Sequence, residues 1–263
     1  MNEWFLILPL LLGTGLLAGL MAGLLGLGGG IVVVPALFWI LRGQGVDPGI
    51  AMPVAVATSL ATMVLTSATA AWAHWRQGTT RRDLLPWLLP GIAVGSVIAP
   101  FLVTRISATV LAALFAGFMF AVALRMALPQ RPPDQAGRAG RLELGLGGVA
   151  VATLSAMLGV GGGILTVPWL QWRGLAMAQA VAVSVTAILV VGVIATTVYL
   201  LMGAASNIPG TIGLVHWPSV VAISTVSTLI SPLASRLARR LPDRALRRLF
   251  AIILLLVGLS MLL

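Results

Sequence analysis

The chain has 263 residues, 59% of them hydrophobic and 8% charged, with mean hydropathy +1.08 and formal net charge +10. Soluble globular domains carry about 25% charged residues, so this composition excludes an ordinary water-soluble domain and points to a chain solvated by lipid. All sixteen basic residues are Arg and sit between apolar runs, a placement that fits membrane topology and not nucleic-acid binding. The absence of Cys excludes disulfides, thiolate metal sites and thiol catalysis.

A spanning helix needs roughly 20 apolar residues, so the length allows about eight to ten crossings joined by short loops. The first apolar run covers residues 5–25. The preceding Met1-Asn2-Glu3-Trp4 lacks a basic region, so this run is read as a retained helix and not as a cleaved leader. Further apolar segments follow at 31–41, 48–75, 84–104 and 107–128. A stretch rich in Pro, Gly and Arg at 129–141 then reads as a linker. The second half repeats the series at 142–158, 163–172, 175–202, 216–236 and 245–263. The expected organisation is one all-α polytopic membrane domain, with an N-terminal repeat 1–128 and a C-terminal repeat 142–263.

The two halves share a motif. Gly26-Leu-Gly-Gly-Gly-Ile-Val-Val-Val-Pro35 returns as Gly159-Val-Gly-Gly-Gly-Ile-Leu-Thr-Val-Pro168, with seven of ten positions identical. At the same offset of 133, Gly15, Gly19 and Gly23 match Gly148, Ala152 and Ala156. Small residues every four positions let membrane helices approach closely.

The arginines set the relative orientation of the halves. Loop 76–83 holds Arg76, Arg81 and Arg82, whereas its counterpart 203–215 holds no charge. Loop 236–248 holds six Arg, whereas its counterpart holds only Arg105. Equivalent loops thus differ in charge, and the repeats are expected to be inverted in the membrane. Inversion needs an odd number of pieces per repeat. It is satisfied if each glycine motif breaks its segment into an entering and a returning piece, giving five pieces per repeat. Fourteen of the sixteen Arg then fall inside, including the linker and loop 236–248, and only Arg42 and Arg105 fall outside.

A short helix starting at Ile31 or Ile164 has first N–H groups without partners and the positive end of its dipole beside them. Three glycines ahead of it let a ligand approach, making an anion site from backbone alone. Pro35 and Pro168 are placed about one turn in, where proline costs little. Hydroxyls cluster in the following long segment of each half. Thr58, Ser59, Ser184 and Thr186 are the best placed, although such side chains also bond to their own helix. Acidic residues lie at segment ends or in loops, so no acidic proton relay is visible. His74 and His216 are read as interfacial. The G-x-G-x-x-A forms at Gly13 and Gly145 lie in membrane-length runs, which argues against a dinucleotide site.

The paired G-[LV]-G-G-G-I-x-x-V-P motifs, over a chain of this length, resemble the TauE/SafE-type sulfite exporter family. The resemblance implies a secondary transporter of small sulfur-containing anions such as sulfite, sulfonates or sulfoacetate, in the bacterial inner membrane. By position it implies glycine turns at Gly28, Gly29 and Gly30 and at Gly161, Gly162 and Gly163. Ala57-Thr58-Ser59 fits a common family pattern, whereas the second half has Ser184-Val185-Thr186, so the two sides of the site are chemically unequal. The anion would sit between the opposed half-helix starts while one repeat moves against the other. A passive anion channel and a non-catalytic membrane subunit are the alternatives. No catalytic group, metal or cofactor is expected; the expected partners are the small anion and the bilayer, with room for a homo-oligomer.

Overall fold

The computed structural model describes residues 3–25, 29–127, 140–202, 208–238 and 243–262. The helices are α1 (Glu3–Leu25), α2 (Gly30–Gly43), α3 (Pro48–Arg76), α4 (Leu85–Val103), α5 (Ala108–Ala127), α6 (Arg141–Leu158), α7 (Gly163–Trp172), α8 (Met177–Leu201), α9 (Trp217–Ala238) and α10 (Asp243–Ser260). Six of these are long and apolar enough to cross a membrane: α1, α3, α4, α6, α8 and α9. The expectation of an all-α polytopic chain with five pieces per half is met. Residues 129–139 of the predicted linker and residues 239–242 lie outside the described residues.

Local chemistry explains the boundaries. Asp47 caps α3 by accepting a hydrogen bond from the Gly49 amide at 2.7 Å, and Pro48 occupies the first helical position, where its missing N–H is not needed. Gly45 and Gly174, both at positive φ, turn the chain from α2 into α3 and from α7 into α8.

Both motif helices fold back on the helix before them. In the second half, Trp169 of α7 lies against Gly147 of α6, and Arg173 pairs with Glu143. The end of α7 therefore returns to the side where α6 began. In the first half, the early α1 residues Ile7 and Leu10 share a groove with Trp39 and Gly43 near the end of α2, while Gly29 abuts Ala18. Each half thus opens with a re-entrant hairpin, which keeps its short helix and turn against protein and away from lipid.

Helix packing shows a two-fold relation between the halves. α1 packs along α9, and its counterpart α6 packs along α4; α3 packs on α8 and α5 on α10. The small-residue ladders make the first two contacts. Gly15, Gly19 and Gly23 face Ile223, Ser227 and Ser231, and Gly91 and Gly95 face Gly145 and Val149. Residue numbers rise together along both contacts, so each pair is parallel. α3 and α8 instead run antiparallel, with Gly192 against Leu60 and Val64 and Thr186 against Trp75. The repeats are therefore inverted, as the arginines require. One face of the bundle, here the arginine side, carries Arg76, Arg81, Arg82, Arg141 and Arg173. There Arg82 stacks over Trp75 and Arg141 over Trp87.

Candidate functional site

The two glycine motifs meet inside the bundle. Ser59 of α3 donates a hydrogen bond to the Gly159 carbonyl at 2.8 Å. A Cβ on Gly30 would lie 2.3 Å from that same carbonyl oxygen and 3.0 Å from Ser59 Oγ. A Cβ on Gly161 would lie 2.5 Å from Met63 Sδ, and one on Gly30 only 1.9 Å from Met63 Cε. Met63 therefore sits between the start of α2 and the turn that begins α7.

The two turns reach this point by different means. Gly159, Gly161 and Gly162 adopt φ of 65°, 69° and 85°, a region that only glycine enters freely. Gly162 is the cap of α7, and its carbonyl accepts from Leu165 and Thr166 at 3.0 and 2.8 Å. Gly163 is already helical. In the first motif Gly29 caps α2 with φ −79°; close packing on Ala18, not backbone handedness, requires a glycine there. Gly28 lies outside the described residues. Both helices start one residue earlier than the sequence suggests, at Gly30 and Gly163, so Pro35 and Pro168 are sixth residues. That corrects their placement in the first turn: each proline removes the bond that the Ile31 or Ile164 carbonyl would otherwise accept.

The predicted hydroxyls divide. Only Ser59 bridges the motifs. Thr58 accepts from the His216 amide at 3.0 Å, on the way to the opposite side. Thr186 donates to the Ala182 carbonyl at 3.0 Å and accepts from Trp75 Nε1 at 3.3 Å. Ser184 is buried with its hydroxyl unpartnered, and so is Ser155, beside Gly162. The tendency of such side chains to bond their own helix is evident at Thr62, Ser67 and Ser96.

A cavity of about 410 Å³ approaches this point from the arginine side. It follows one face of α3 from His74 through Ala70 and Ser67 to Met63, with α1, α8 and α9 as its other walls. Among the described residues its lining contains no acidic group, which suits an anion. His74, read from sequence as interfacial, lines the mouth and pairs with Thr79 through Nδ1 at 3.0 Å.

On the opposite side lies a feature that the sequence reading missed. Two short strands, β1 (Thr211–Ile212) and β2 (Val215–His216), form a hairpin before α9. Its Gly213 packs on the Tyr199 and Leu200 carbonyls. The signal was present: Pro209-Gly210 and Gly213 bracket the β-branched pair Thr211-Ile212. His216 is buried, not interfacial, with Nδ1 2.6 Å from Ser219 Oγ.

Burial holds the His216 imidazole below its ordinary pKa of about 6.5, partly offset by its hydrogen bond to the Pro209 backbone. The unfolded chain therefore binds the proton first as pH falls, and the folded state loses stability below about pH 6.5. The difference in melting temperature between the native chain and His216→Gln is expected to shrink from pH 7.5 to 5.5. A difference independent of pH would contradict this.

Among the described residues, ten helices in two inverted units, built around facing re-entrant hairpins, define a multi-pass membrane protein. The description "Sulfite exporter TauE/SafE" matches residues 11–261, and the chain belongs to that family. It is 30% identical to a probable membrane transporter protein of Haemophilus influenzae over 261 residues, covering 98% of each chain. It is also 30% identical to one of Methanocaldococcus jannaschii, covering 99% of this chain and 97% of the other. A third, from Bacillus subtilis, is 25% identical over 93% of both. No solved structure matches the chain.

Proposed function

We propose that the chain is a secondary transporter, and an exporter, of small sulfur-containing anions such as sulfite, sulfonates or sulfoacetate, with the anion held between the starts of α2 and α7. One observation carries the reading: the two motif turns meet across Met63 at the blind end of a cavity with no acidic group among its described lining residues. The amides ahead of Leu165 have no intrahelical acceptor, and two positive helix ends facing one point favour a negative guest. Unpartnered Ser155, beside Gly162, is a nearby hydroxyl donor. The arginine side is assigned to the cytoplasm by the positive-inside rule, which makes this the inward-open form in a bacterial inner membrane.

The inverted architecture supports alternating access, and the packing groups the helices differently from the sequence repeats. α1, α2, α3 and α9 hold together, as do α4, α6, α7 and α8. The α3–α8 contact joins the two groups, and the cavity lies beside it. Sliding there would close one side and open the other.

A thermal-shift series on the purified protein tests the substrate class. A ligand that prefers the folded state raises the melting temperature, by about 2.7 kcal/mol of stabilisation at a hundredfold excess over Kd. Sulfite or a sulfonate is expected to shift the transition and chloride to leave it in place. No shift with sulfite, sulfate, thiosulfate, taurine or sulfoacetate would defeat the assignment, and unitary currents in bilayers would favour a channel instead.

A further inference from the structure

We propose that Met63 is a single-residue gate and size filter between the arginine-side cavity and the site at the glycine turns. The inference rests on the anion site proposed above but concerns a residue that the sequence motifs do not mark. The cavity follows α3 one turn at a time through His74, Ala70, Ser67 and Thr66, and ends at Met63. The next turn on that face is Ser59, which is 0% exposed and bonded to Gly159. Met63 itself is 2% exposed. Its methyl lies against Gly30 and its sulfur against Gly161, so the thioether fills the space that the two glycines leave open. It also lines the narrow pocket beside Gly29.

Between the cavity end and Ser59, the next turn on this face, the contact seen across the two glycines is that of one unbranched side chain. Methionine has three rotatable side-chain bonds and suits irregular gaps, so it can swing aside without moving a helix. An anion reaching the free amides must displace it, and the room it vacates limits the size of what enters. The gate acts in series with the larger α3–α8 movement. On the other side the His216 amide bonds Thr58, away from this gate.

The absence of Cys from the chain permits a direct test. Ser59→Cys is placed in the native and Met63→Ala backgrounds, and its reaction with a small anionic methanethiosulfonate is timed in purified protein. Ala70→Cys, within the cavity, serves as the reference site. Labelling at 59 is expected to be slow with Met63 and about tenfold faster with Met63→Ala, because the rate scales with the open fraction. Ala70→Cys should react quickly in both. If Met63→Ala does not fold, Met63→Val takes its place. Equal rates at 59 in both backgrounds overturn the gate. In liposomes the smaller side chain should raise taurine flux relative to sulfite several-fold, and an unchanged ratio overturns the filter. If labelling responds but no sulfur anion moves in any variant, the gate stands and the substrate assignment falls.

Discussion

Gly30→Ala is expected to abolish anion flux in liposomes while the protein still inserts and purifies as a single species. The added Cβ would lie 2.3 Å from the Gly159 carbonyl oxygen and 1.9 Å from Met63 Cε. The methionine can yield by rotating. The carbonyl cannot, because it belongs to the left-handed residue that ends α6, and it also accepts the Ser59 hydrogen bond. The start of α2 must therefore retreat from the start of α7. Overpacking of this kind costs about 1–3 kcal/mol, within the 5–15 kcal/mol margin of a folded domain, so the bundle should survive. The site should not, since its amides act on the anion only while both helix starts face it. Gly162→Val should have the same outcome for a different reason: φ +85° is strained for a β-branched residue, and Ser155 Oγ lies 3.0 Å from the new Cβ. Gly117→Ala is the control, with nothing within 4 Å of its Cβ, and should transport normally. Native flux in Gly30→Ala would remove the helix starts from the mechanism.

How much of this was legible beforehand depended on which physical force wrote the signal. Lipid enforces long apolar runs, and Arg, Pro and Gly punctuate them, so the ten pieces were readable close to their observed ends. The re-entrant hairpins followed from charge: only a broken segment in each half puts the linker and the 236–248 arginines on one side. The glycine turns were readable because a three-glycine run inside an apolar segment serves neither helix propensity nor solubility. Cross-repeat pairing was not readable. Helices that are apolar all round carry no stripe that names a partner. The Gly15-Gly19-Gly23 ladder marked a close face without indicating that α9 covers it. Met63 was equally silent, since one methionine in an apolar helix has the ordinary look of packing until its two glycine neighbours are seen. Thr58 shows the converse: adjacent to Ser59 in sequence, it lies on another face and holds the hairpin before α9.

The ladders themselves carry the other large expected effect, on assembly and not on transport. A Cβ on Gly91 would lie 2.0 Å from the Gly145 carbonyl oxygen, and one on Gly23 only 2.2 Å from that of Ser231. Each contact is backbone on backbone along a parallel pair, so no rotamer relieves it. Apolar helices gain little hydrophobic drive from association in lipid and rely on close packing. Separating α4 from α6 by a side chain's thickness therefore forfeits contact along the whole pair, including the approach of Gly95 to Val149. The pair also joins the repeats, so its loss leaves α6 without its main support. Gly91→Leu is expected to reduce the monodisperse fraction on size exclusion about tenfold or more, a fall that a loss of 1–2 kcal/mol approaches in cells and a backbone clash exceeds. Gly23→Leu should match it, because α1 on α9 repeats the geometry. Substitution at Gly13, which has nothing within 4 Å of its Cβ, should leave the profile unchanged. A monodisperse Gly91→Leu protein would mean that α4 and α6 do not rest on one another.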